Sequence, residues 1–182
     1  MNRDKILVWD LPTRLFHWLL AGTFAGAWLT AESERWIEVH VTLGYTFAGL
    51  IAFRLLWGLV GTRYARFSSF VRGPGAVLSY LKSLLTFRPQ HHVGHNPAGG
   101  WAVLALLGLG IVTALAGFLT YNDYGGHWLE ELHEGAASAM LGLVFVHIGA
   151  VLISSLLHKE NLVRAMLTGH KKPVDAHPDR RG

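Results

Sequence analysis

Four histidines lie inside or at the edges of strongly apolar stretches. His147 is the only titratable residue between Ala136 and Leu157, and His17 lies among Leu15, Phe16, Trp18 and Leu19. His40 and His133 stand near the starts of two further apolar runs. Imidazole ligates metals and is a standard axial ligand of haem iron. The chain has no cysteine among its 182 residues, which excludes disulfides, Cys-ligated iron–sulfur clusters and covalently attached c-type haem. Any metal or haem must therefore be held by imidazole, carboxylate or main-chain oxygen.

Spacing gives these histidines a geometry. His133 and His147 are fourteen positions apart. On one helix they fall within about 40° of the same face and about 21 Å apart in depth. Two imidazoles on one iron leave no open coordination position, which suits electron transfer better than oxygen binding or metal-centred catalysis. No residue is singled out as catalytic. The plainer reading of each histidine is a hydrogen-bonded polar group, and it is weakest for His147, deepest in its run.

The elements that position these groups are transmembrane helices. Hydrophobic residues make up 51% of the chain and charged residues 15%, against about a quarter charged in soluble domains. Four stretches approach the roughly 20 residues that span a bilayer: about 15–31, 37–60, 101–121 and 136–157. Main-chain groups in lipid must pair internally, so these segments are helices. The expected fold is all-α, an integral membrane four-helix bundle. Fourteen of the sixteen Lys and Arg lie before the first span, between the second and third, or after the fourth. The two opposite loops carry Arg35 and seven acids: Glu32, Glu34, Glu38, Asp123, Glu130, Glu131 and Glu134. The positive-inside rule then places both termini in the cytoplasm. Asp10 and His17 interrupt the layout of a cleaved signal peptide. The basic residues form no stripe with interleaved aromatics, so nucleic acid is not an expected partner.

This topology supplies partners at two depths. His40 and His133 are outer residues and can face each other; His17 and His147 belong to the inner side. Gly22, Gly26, Gly44, Gly49 and Gly142 offer small surfaces that a flat macrocycle could approach, or that simply allow close helix packing. Arg54, inside the second run, either snorkels to the cytoplasmic face or pairs with a haem propionate or an anionic quinone group; Arg14 is a second candidate for that pairing. Trp9, Trp57, Trp101 and Trp128 read as interfacial anchors.

The remaining segments are secondary. Ala76–Phe87, opened by Pro74-Gly75, and Glu160–Thr168, closed by Gly169, read as short interfacial helices. His91, His92 and His95, before Asn96-Pro97, read as surface or capping residues. His127 is an alternative to His133, while His158, His170 and His177 read as solvated. The polar tail 171–182 reads as disordered.

These residues resemble the bacterial cytochrome b561 and nickel–iron-hydrogenase cytochrome b family. The matching stretches are VWDLPTRLFHW, HVTLGY with FRLLWGLVGTRYARF, GHNPAGG, ELHE, VFVHIGAV and HKENLVRAMLTG. The resemblance covers roughly Val8 to Lys171. It implies one membrane cytochrome b domain over 1–170 in the bacterial inner membrane, with two b-type haems. The family's axial-ligand pattern falls on His17 and His147 for the inner iron and on His40 and His133 for the outer one. It also implies electron transfer between a quinone, ubiquinone or menaquinone, and a periplasmic redox protein such as a c-type cytochrome or a hydrogenase.

Within that family the leading expectation is a di-haem electron-transfer subunit serving the quinone pool. A superoxide oxidase that reduces quinone is one alternative, disfavoured because acidic outer loops repel an anionic substrate. A hydrogenase cytochrome b anchor is another, set behind because such subunits usually have longer chains. A histidine-based metal transporter, outside the family, would need polar residues in the third span, which has almost none.

Overall fold

The computed structural model describes residues 5–86 and 93–171. Expectations placed on His91, His92, His177 and the tail beyond Lys171 fall outside the described residues. Seven helices and two short strands make up the described chain: β1 (Ile6–Leu7), α1 (Leu11–Thr30), α2 (Ile37–Val60), α3 (Phe67–Phe70), α4 (Pro74–Leu85), α5 (Pro97–Tyr121), α6 (His127–Leu157), α7 (Leu162–Thr168) and β2 (His170–Lys171).

Three segments are long and apolar enough to cross a membrane: Glu34–Val60, which is α2 with the 3-10 turn before it, α5 and α6. α1 has twenty residues but carries Arg14 and His17 near its start. α1 packs on α2, α2 on α5, and α5 on α6. Each long helix starts for a local reason. Asp10 caps α1 by accepting from Thr13 N at 2.9 Å, and Pro12 occupies the first turn. Asn96 does the same for α5 through Gly99 N at 2.7 Å, again with proline in the first turn. α6 begins nine residues before the apolar run starts, with Glu130 in its first turn, where a negative charge favours the helix N-terminus.

An apolar layer crosses the middle of the bundle: Phe16 of α1, Phe47 and Ile51 of α2, Leu107 of α5 and Met140 of α6. Met140 stands two helical turns from both His133 and His147, so this layer separates the two histidine depths. Gly110 makes the layer tight, because a Cβ there would lie 2.7 Å from Ile51 Cδ1.

The first and last described segments meet at one end of the bundle. β1 and β2 pair antiparallel, Ile6 opposite Lys171. Val8 N and Trp9 N both donate to Gly169 O, at 2.9 and 3.0 Å, and Arg14 Nη1 donates to Leu167 O at 2.6 Å. Gly169 closes α7 with φ +83°, a conformation glycine adopts without a Cβ penalty. Trp9 is a packing residue here rather than a lipid anchor: it is buried with Val8 and Ala165. We call this the ladder end of the bundle; His40, His127 and His133 mark the far end.

Candidate functional site

At the far end, four helices converge on two imidazoles. His40 of α2 and His133 of α6 lie with ring centroids 6.0 Å apart and planes at 84°. His40 Nδ1 meets Ala27 O of α1 at 2.9 Å, and His133 Nδ1 meets Thr113 O of α5 at 2.8 Å. A carbonyl oxygen can only accept, so Nδ1 carries the proton in both rings and Nε2 is left as the basic nitrogen. This main-chain anchoring of the far nitrogen is how proteins orient a metal-bound histidine.

Local sequence explains both anchors. Ala27 is in the last turn of α1, where main-chain carbonyls lose their helical donors; Ala31 N turns to Trp28 O instead. His133 reaches Thr113 O because Gly117 lies beside it. A Cβ at Gly117 would stand 2.8 Å from both Cε1 and Nδ1 of the ring.

The separation suits a shared metal. Two metal–imidazole bonds of about 2 Å each, with ring half-widths of roughly 1 Å, place centroids about 6 Å apart. Among the described residues no group of three or more His, Asp or Glu could hold a metal ion. Two imidazoles alone do not complete a coordination shell, so a porphyrin, which supplies four equatorial nitrogens, fits this donor set. His127 is not part of the site. It is exposed and bound to Glu130 at 3.0 Å and Glu131 at 3.5 Å.

Toward the ladder end, His17 of α1 and His147 of α6 are near enough that a charge on one acts on the other. His17 Nδ1 is buried with no hydrogen-bond partner. On α2, Arg54 is 3% exposed, so it does not snorkel to water. Its guanidinium lies 4.8 Å from the Phe67 ring and 6.0 Å from Phe16, and its Nη1 has no hydrogen-bond partner. Arg14 Nε is likewise buried without a partner.

The acids nearby are already engaged. Asp10 accepts from Thr13 N, Trp57 Nε1 at 3.0 Å and Thr62 Oγ1 at 2.7 Å. Burial alone would raise its pKa, but these hydrogen bonds together hold it below the usual carboxylate value. Glu160 pairs with the buried Lys171 at 3.6 Å.

His95 is the residue that sequence reasoning missed. It is not a surface group: its ring packs against Trp9 at 4.7 Å and Phe70 at 4.5 Å, and its Nδ1 is buried without a partner. Burial first, then the charges of Arg54, Lys171, His147 and His17, push its imidazole down to about 3. The one signal available was its place immediately before the Asn96 cap, which fixes it against the start of α5.

The glycines divide into two kinds. Gly26 packs, since its Cβ would meet Leu43 Cδ1 at 2.9 Å. Gly22, Gly44, Gly49 and Gly142 would each accept a Cβ with nothing within 4 Å, leaving those helix surfaces flat.

Comparison with known proteins gives this arrangement a context. The sequence profile of the prokaryotic cytochrome b561 family matches residues 8–169. The chain is 24% identical to a probable Ni/Fe-hydrogenase B-type cytochrome subunit of Azotobacter vinelandii, over 98% of this chain and 93% of that protein. It is 22% identical to the corresponding protein of Rhizobium leguminosarum bv. viciae, over 94% of this chain and 90% of that one. With the protein of the same name from Cupriavidus necator the identity is 27%, over 90% and 86%. No solved structure matches significantly.

Proposed function

The chain belongs to the prokaryotic cytochrome b561 family, whose members are b-type membrane cytochromes, and from that premise we propose that it is the di-haem cytochrome b subunit of a membrane-bound nickel–iron hydrogenase. The observation that carries the cofactor reading is the His40–His133 pair, 6.0 Å apart with both Nδ1 atoms tied to main-chain carbonyls. The hydrogenase reading draws on the curated relatives, which span nearly the whole chain. The alignments run over 225 and 218 positions against 182 residues here, so these relatives are longer, as expected of this branch, yet they match nearly the whole of this chain.

In this reading His40 and His133 would hold one haem b, and His17 and His147 would hold the other. A bound haem supplies one-electron chemistry, its iron alternating between ferric and ferrous forms. The protein fixes the rest. The anchors at Ala27 O and Thr113 O fix the orientation of both imidazoles. Phe47, Ile51, Leu107 and Met140 keep the space between the two depths apolar. Arg54 and Arg14 offer unpaired donors to a haem propionate or a quinone oxygen at the ladder end. α1 serves as the fourth span. The ladder end would face the cytoplasm of a bacterial inner membrane, in keeping with the positive-inside bias of the basic segments. The far end then meets the hydrogenase on the periplasmic side, and electrons pass toward ubiquinone or menaquinone.

The test is optical. Purified protein should show reduced b-type bands and two haems per chain, and hydrogen should reduce both in membranes that retain the hydrogenase. A preparation without b-type bands ends the cytochrome reading. Bands that respond to superoxide but not to hydrogen favour the superoxide oxidase instead.

A further inference from the structure

The ladder end contains more buried positive character than its acids balance. Arg54 Nη1 and His95 Nδ1 are both buried and unpartnered. Both lie against one aromatic wedge: Arg54 lies over Phe67, His95 lies against Phe70, the two phenylalanine rings are 5.9 Å apart, and the Arg54 charge acts on His95. α3, a single helical turn, carries both rings of that wedge. Asp10 and Glu160 already have their own donors. Asp10 acts on the Arg54 guanidinium without a hydrogen bond to it; a buried guanidinium with no hydrogen-bonded anion is unfavourable, and a buried imidazole nitrogen without a partner adds to that.

We infer that His95 and Arg54 form a clamp for a carboxylate at the ladder end, and that the carboxylate is a propionate of the haem held by His17 and His147. The inference rests on the di-haem reading above. A carboxylate satisfies both groups at once, because it has two oxygens and accepts from both donors. His95 serves as a neutral donor here, and the aromatic contacts with Trp9 and Phe70 fix its ring plane. It is a positioning residue for the cofactor. By stabilising the propionate's negative charge it makes the extra electron of the reduced haem easier to hold.

The experiment uses the purified holoprotein as wild type, as the single variants His95→Leu, His95→Gln and Arg54→Gln, and as the His95→Leu/Arg54→Gln double variant. Optical redox titration resolves the two haems, and infrared redox-difference spectra are taken with the propionate carboxyls carbon-13 labelled. His95→Leu should make the ladder-end haem about tenfold harder to reduce, about 59 mV for one electron. His95→Gln, which keeps an N–H donor, should recover most of that loss. Combining His95→Leu with Arg54→Gln should give less than the sum of the two, since both act on one group. A label-sensitive carboxylate band should move in His95→Leu. Unchanged potentials in both His95 variants overturn the clamp while leaving the two haems intact. A label-insensitive band that moves together with a phosphate band assigns the pocket to a lipid headgroup and overturns it too. Wild-type protein without haem overturns the clamp and the di-haem reading together.

Discussion

His40 and His133 come from different helices, yet their rings stand 6.0 Å apart at 84°, and each turns its Nδ1 to the carbonyl of a third or fourth helix. All four long helices thereby meet at one imidazole pair. His133→Ala should remove the far-end haem and leave the other, lowering the haem-to-protein ratio from two to one. His147→Ala should do the converse. The pairing is wrong if either variant retains both haems, and pyridine haemochromogen assay of the purified proteins decides it.

Gly117 is the least conspicuous part of that site. A side chain there must displace the His133 ring, only 2.8 Å from an added Cβ, and with it the bond to Thr113 O. Gly117→Val should cost about 1–3 kcal/mol through overpacking and yield largely one-haem protein. Gly108, on the same helix, would accept a Cβ with nothing within 4 Å. Gly108→Ala should therefore keep both haems and gain up to about 1 kcal/mol in helix stability. Melting curves and haem content distinguish the two.

Much of this architecture is legible in the sequence. The apolar runs locate α2, α5 and α6, because main-chain groups without water must form helices and such helices need continuous apolar residues. Gly169 and the Pro74-Gly75 pair locate the ends of α7 and α4. The fourteen-residue interval becomes meaningful because α6 runs unbroken from His127 to Leu157. What the sequence does not display is contact between remote loops. His95 looks like a loop histidine until Trp9, from the chain start, and Phe70, from α3, close over it. Trp9 looks like a lipid anchor until Ala165 of α7 packs against it. Periodicity reports which face of a helix is apolar, and neither of these residues lies on one.

Gly169 joins the β1 segment to the end of α7, and its cost of replacement has two sources. With φ at +83°, any other L-residue is strained by about 1–2 kcal/mol. A Cβ there would also stand 2.6 Å from Trp9 O, beside the carbonyl that receives Val8 N and Trp9 N. Gly169→Ala should lower the melting temperature and expose the β1–β2 pair to proteolysis, without changing the optical bands of the far-end haem. Asn, which tolerates this φ better, should restore only the conformational part. Equal melting temperatures for wild type and Gly169→Ala would show that the ladder contributes nothing to stability.

His95 makes stability depend on pH in a direction fixed by its surroundings. Its pKa falls from the ordinary 6.5 to about 3, first through burial and then through Arg54, Lys171, His147 and His17. The unfolded chain therefore binds a proton at a pH where the folded chain does not. Stability from keeping His95 neutral is fully present above pH 6.5 and is lost progressively as pH falls toward about 3. Carboxylates also titrate in the lower part of that window, so the informative quantity is the difference between wild type and His95→Gln, in which those groups are shared. In haem-depleted protein, where no propionate faces His95, the melting temperature of wild type should fall faster than that of His95→Gln as pH is lowered from 6.5. Parallel curves for the two proteins would mean that His95 is protonated, or water-exposed, in the folded state.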